Sequence, residues 1–179
     1  KVGDRQYVAI ALNNLALIAE RRGDAEDRRA RLEESLVLYR EIGDRTGEAL
    51  TLSNLGEAAI DRGDRRQARQ LFRESIAVRL ELGDRWGIAD GLESFANLLA
   101  TGGQPELAMR LLGAALEMRA KIGSPPNPQV QARVDSYVAA CEGVIGADAV
   151  RKAIEAGRAL DIRQAVEEAR NAPDSTEQQ

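Results

Sequence analysis

Apolar residues in this chain recur at helical spacing. Leu52, Leu55 and Ala59 fall three or four apart, and so do Ala68, Leu71, Phe72, Ser75 and Ile76 a little further on. This predicts two amphipathic helices joined at Gly63-Asp64. Glycines stand every twenty residues, at 3, 23, 43, 63, 83, 103, 123 and 143. A helix end wants that residue, because the position after the last turn is left-handed and only Gly enters it at little cost. The next residue is usually Asp (Asp4, Asp24, Asp44, Asp64, Asp84), whose carboxylate accepts the first free N–H groups of the next helix. Gln67 completes a capping-box pattern with Asp64, and Pro105 after Gln104 suits a first helical position. The turn glycine Gly63 is expected to resist substitution more than Gly47.

Three units follow without a gap, 3–42, 43–82 and 83–122, each a helix, a tight turn and a second helix ending at Ile42, Leu82 or Ile122. Neither helix can bury its apolar face alone, whereas stacked pairs can, which predicts an all-α solenoid over residues 1–122. Beyond Gly123 the text "SPPNP" cannot continue a helix but can start one. Residues 128–145, 147–157 and 160–170 read as further helices with a break at Gly146. Residues 123–170 thus form a divergent fourth unit that caps the array, and 171–179 a disordered tail. "KVG" at the start stands where "EIG", "ELG" and "KIG" end the later units, so it reads as the tail of a lost helix. On that reading Val8, Ala11 and Leu15 are left uncovered, and self-association through the N-terminal end is expected.

Composition narrows the chemistry. The chain has 179 residues, 44% hydrophobic but only 3% aromatic, so its core must be Ala and Leu. No apolar run is long enough for a transmembrane helix and no secretory signal is visible, which makes a cytoplasmic location the expectation and no membrane contact. There is no His, and the single Cys141 sits in an apolar helical stretch and reads as a buried hydrophobe. Net charge is −4, with 25 basic and 29 acidic residues interleaved, so no field favours direct nucleic-acid binding. Each carboxylate has a simpler role as a cap or a solvated face, so no enzyme activity, catalytic residue, metal or cofactor is expected. Arg62, Arg66, Arg69 and Arg73 form one stripe, read as a solvated convex face balanced by Asp61, Asp64 and Glu74. Trp86, the only tryptophan, reads as core packing.

"ALTLSNLGEAAIDRGDRRQARQLFRESI" resembles a tetratricopeptide repeat. Gly56 after Leu55 stands at the tight helix crossing, Gly63-Asp64 makes the turn, and Ala68 and Phe72 supply the small and large residues of the second helix. Ala16, Gly23 and Leu32 match in the first unit, and Ala96, Gly103, Ala108 and Leu112 in the third. Leu12, Leu52 and Leu92, with Ala19, Ala59 and Leu99, replace the family's usual aromatics, and the unit is forty residues long where the family's is about 34. A HEAT-type array has the nearer period but leaves Gly56, Ala68 and Phe72 unexplained. The resemblance implies a right-handed superhelix whose first helices line a concave groove for a protein or peptide partner. It points at Asn13, Leu17 and Arg21, at Ser53, Glu57 and Ile60, and at Glu93, Asn97 and Ala100. Asn14 and Asn54 adjoin them, and "LNNLA" is similar to kinesin-light-chain repeats, where such asparagines hold the backbone of an extended peptide.

Residues 83–170 also resemble the repeat region that follows the ATPase domain in bacterial LuxR-type transcriptional regulators and in ATPases related to adenylate or guanylate cyclases. That implies an interaction or effector-sensing module of a bacterial signalling protein. The alternative is a structural spacer and self-association module that positions ATPase and output domains. Neither a phosphate-binding loop nor a DNA-reading helix-turn-helix is present in the chain.

Overall fold

A computed structural model describes residues 2–173 of the chain. The described residues are all-α: α1 (Val2–Arg21), α2 (Ala25–Ile42), α3 (Arg45–Asp61), α4 (Arg65–Leu82), α5 (Arg85–Ala100), α6 (Pro105–Lys121), α7 (Pro128–Ile145), α8 (Ala147–Arg158) and α9 (Ile162–Asn171). They divide into two compact units, one ending at Leu82 and the other beginning at Gly83. α1 packs on α2, α3 on α4 and α5 on α6 as tight hairpins, and α2 packs on α3 within the first unit.

The helices start and stop where turn chemistry says they should. Gly23, Gly43, Gly63, Gly83, Gly103 and Gly123 all have φ between 65° and 78°. At Gly43 the N–H donates to Arg40 O at 3.2 Å and Asp44 N–H to Tyr39 O at 2.9 Å, closing the carbonyls of the last turn. The carboxylates of Asp24, Asp44, Asp64 and Asp84 each accept the N–H three residues on, at 2.9–3.0 Å. Pro105 takes the first position of α6 behind Gln104.

Four local expectations are corrected. Gly3 and Asp4 lie inside α1 and not at a helix end, and Gly3 is not among the glycines of positive φ. Gly143 lies inside α7 and ends no helix, while the break expected at Gly146 is present there, with φ 85°. Gln67 turns its amide oxygen to Arg62 at 2.9 Å, leaving the box with Asp64 half formed. A complete box occurs instead at Asp161 and Gln164, where α9 begins. Lys1 and residues 174–179 lie outside the described residues, but the expected tail does not begin at 171. Asn171 ends α9, Ala172 is buried, and Pro173 O accepts from Gln104 Nε2 at 2.9 Å.

In the first unit Ala16, Leu32, Leu36, Ala49, Leu52, Leu55, Ala58 and Val78 make one core cluster. Full burial of each large side chain contributes about 1.5–3 kcal/mol. The α3–α4 crossing is close because Gly56 has no side chain: a Cβ there would stand 2.8 Å from the Phe72 ring. Gly47 overturns the expectation of tolerance, since a Cβ would meet the buried Tyr39 ring at 2.2 Å, whereas at Gly63 it would meet nothing within 4 Å.

In the second unit α8 packs on α6 nearly as extensively as α5 does, while α7 touches α5 and α6 only lightly. Gly113 of α6 and Gly157 of α8 make this contact possible. A Cβ at Gly113 would lie 2.1 Å from Ile154 O, and one at Gly157 would lie 1.9 Å from Arg110 O. The two backbones therefore touch directly, with no side chain between them.

Candidate functional site

The first helix of each hairpin carries a polar residue at one repeated position: Asn13, Ser53 and Glu93. In the structure this position faces the second helix of its own hairpin. Asn13 Nδ2 donates to Ser35 Oγ at 2.6 Å and to Thr51 Oγ1 at 3.0 Å. Ser53 Oγ meets Ser75 Oγ at 2.8 Å, and Glu93 takes two bonds from Arg119, at 2.5 and 2.8 Å. Ser35 and Ser75 each then donate to a first-helix carbonyl, Ala9 O at 2.9 Å and Ala49 O at 2.7 Å. Ser53 and Glu93 are buried, so their polar groups serve the hairpin interior. A signal for this lies in the sequence: Ser35 and Ser75 recur forty residues apart, each twenty-two residues after its partner.

What remains on the surface of the first unit is a narrower set. Asn14, Leu17 and Arg21 of α1 are exposed, and Asn54, Glu57 and Ile60 of α3 are half-buried. Asn54 Nδ2 donates to Asn13 Oδ1 at 3.2 Å, tying α3 to α1, while the Asn14 amide bonds to no other described residue. Beside them lies a cleft of about 270 Å³, lined by Glu20, Gly23, Ala25, Arg28, Ala58 and Asp61. Arg28 is buried, in close contact with Asp61, 3.4 Å from Glu20 and 4.0 Å from Glu57. Three carboxylates thus surround one guanidinium. The excess negative charge at this mouth favours a cationic or backbone-donor ligand group.

In the second unit Asn97 and Ala100 are half-buried, and the Asn97 amide has no partner among the described residues. Trp86 is 49% exposed and is not core. It lies in the first turn of α5, where its indole covers the Arg119 guanidinium at 5.7 Å. Arg119 is buried beneath it, held by Glu93 and 3.5 Å from Asp90, and its hydrogen bond to Glu93 pushes its pKa above the ordinary value. A second cleft, of about 430 Å³, has an apolar floor that includes Ala114, Met118, Ile122 and Leu160, with Arg85, Lys121 and Arg163 among its charged residues. No local pattern announced it, because three separate stretches of chain form it.

The expected Arg stripe divides. Arg69 is buried, Arg62 bonds Ala58 O and Gln67, and Arg66 alone is fully exposed, so this is no continuous solvated face. Cys141 is buried, and that burial raises its pKa. Among the described residues no group of three His, Cys, Asp or Glu side chains could hold a metal ion, and no helix is long and apolar enough to cross a membrane.

The tetratricopeptide-repeat family model matches residues 7–81, nearly the whole of α1 to α4. Repeats of this family generally mediate protein–protein interaction. No curated protein matches the chain.

Proposed function

We propose that the first unit binds an extended peptide or protein segment along the α1–α3 surface, as a non-catalytic recognition module. The observation that carries this reading is the exposed Asn14 amide, bonded to no other described residue, on the same helix as exposed Leu17 and in a unit that also holds the acid-rimmed Arg28 cleft. An amide presents a donor and an acceptor together, as a peptide bond does, and so grips a backbone without reading its side chains. Leu17 adds an apolar contact, and Glu20, Glu57 and Asp61 favour a Lys or Arg in the ligand. Asn13 and Ser53 act from beneath as fixed supports, Arg21 and Ile60 extend the candidate surface, and in the second unit Glu93, Asn97 and Ala100 stand at the corresponding positions of α5. The resemblance of residues 83–170 to bacterial regulators supports a place in a cytoplasmic signalling or transcriptional protein, with no cofactor.

The test is selection from a random dodecapeptide phage library. Enriched sequences should carry a basic residue, and their synthetic peptides should bind at least about tenfold more weakly to Asn14→Ala and Leu17→Asp chains, a loss of about 1.4 kcal/mol. Val37→Asp on α2, exposed and away from this surface, serves as the control. No enrichment, or peptides indifferent to Asn14 and Leu17, would refute the groove reading and leave the spacer role.

A further inference from the structure

The outer side of α1 carries a second pattern, distinct from the residues just described. Asp4, Val8, Ala11, Leu15, Ile18 and Arg22 follow one another at alternating steps of four and three, the seam of a helix made to pack lengthwise on another. Val8, Leu15 and Ile18 are 48%, 41% and 43% exposed, while Ala9, Leu12, Ala16 and Ala19 on the adjoining side are buried. Arg22 continues the helical path, its N–H bonding Ile18 O at 3.2 Å. Forty residues later the same positions of α3, Glu48, Thr51, Leu55 and Ala58, are buried in a unit where α2 packs on α3. This face of a first helix therefore takes a helix in this fold, whereas on α1 its positions Val8, Ala11, Leu15 and Ile18 are exposed.

The seam is complementary to itself when reversed. Lay a second α1 antiparallel on the first and Asp4 falls opposite Arg22, Val8 opposite Ile18, and Ala11 opposite Leu15, each pairing occurring twice about a two-fold axis. Small meets large in the central layer, two branched apolar residues meet in the next, and opposite charges close both ends. Parallel pairing would instead set Asp4 against Asp4 and Arg22 against Arg22, which like-charge repulsion disfavours. We propose that the occupant of this face is a second copy of the chain, and that the protein forms a two-fold dimer through antiparallel α1 helices. The contact is isologous and so closes at two copies.

Sedimentation equilibrium of the 179-residue chain should show a reversible monomer–dimer equilibrium with nothing larger. Val8→Glu should weaken it about a hundredfold or more, because a carboxylate would face Ile18 of the other copy, and the circular dichroism should stay unchanged since Val8 points outward. Direction is read by cross-linking, where a mixture of Val8→Cys and Ile18→Cys chains should form a disulfide dimer containing one of each. Val8→Cys alone should not link, its two sulfurs standing about 15 Å apart along the seam, and buried Cys141 takes no part. A monomer at every concentration, species larger than a dimer, or efficient linking of Val8→Cys to itself would each overturn the proposal. If Val8→Glu disturbs folding, the cross-linking pattern decides alone.

Discussion

Gly113→Ala adds one methyl group at the α6–α8 contact and should destabilise the protein although alanine is the better helix former. The new Cβ would begin 2.1 Å from Ile154 O, and an ordinary carbon–oxygen contact is about 3.3 Å or more, so α8 has to retreat by about 1 Å. Its neighbour is backbone inside a helix and cannot swing aside as a side-chain tip could. Overpacking of this kind costs about 1–3 kcal/mol, against which the helix propensity of Ala returns about 1 kcal/mol. The net expectation is a loss of up to about 2 kcal/mol. Gly143→Ala is the internal comparison: also mid-helix, with nothing within 4 Å of the added Cβ, it should gain up to about 1 kcal/mol. Urea unfolding of both variants measures the two signs, and hydrogen exchange at α8 amides locates the loss. Gly157→Ala should behave like Gly113→Ala, and the double variant should cost less than the sum, because once α8 has moved the second methyl meets less. A Gly113→Ala chain as stable as the parent, with α8 amides equally protected, would show that the two backbones do not touch.

Gly47→Val should cost at least as much as Gly63→Val, each more than about 1 kcal/mol, the first through the Tyr39 ring and the second through its left-handed backbone; their unfolding midpoints in urea decide the order. Glu93→Ala should cost about 3–5 kcal/mol by leaving Arg119 charged and buried, and Glu93→Ala with Arg119→Met should recover much of it. Tyr137 is buried with a hydroxyl that has no partner among the described residues, and burial, reinforced by the negative charge of Glu93, pushes its pKa up from 10.0. The unfolded chain therefore ionises this phenol first: the associated stability is present below about pH 10 and falls as pH rises beyond it. Tyr137→Phe should be as stable as the parent at pH 7 and lose less between pH 9 and 11, as melting temperatures across that range would show.

The helix ends were legible because Gly and Asp act within four or five residues, as the hydrogen bonds at Gly43 and Asp44 do. The tight crossing at Gly56 was legible as well, since the repeat supplied both Gly56 and Phe72. What could not be read locally was direction. A polar residue on a first helix looks the same whether it faces solvent, as Asn14 does, or a serine on its partner helix, as Ser53 does. Trp86 misled because an aromatic side chain reads as core, while its position in the first turn of α5 lays it over Arg119 instead. Gly113 and Gly157 drew no notice in helical text, for which earlier helix α8 would meet is a long-range choice that periodicity does not encode.

The placement of α8 has a consequence for growth. A stack of identical hairpins has a polarity, and wherever its last helix stays bare it offers the next molecule the same kind of seat that α2 offers α3. Chains of that kind add end to end without limit, as monomers do in a filament. Here α8 lies against α6 with α7 beside it, and α9 also packs on α6, so that seat is already taken by the chain itself. Dislodging α8, as two methyl groups at Gly113 and Gly157 would tend to do, should bare that seat on α6 and give the molecule a new surface for association.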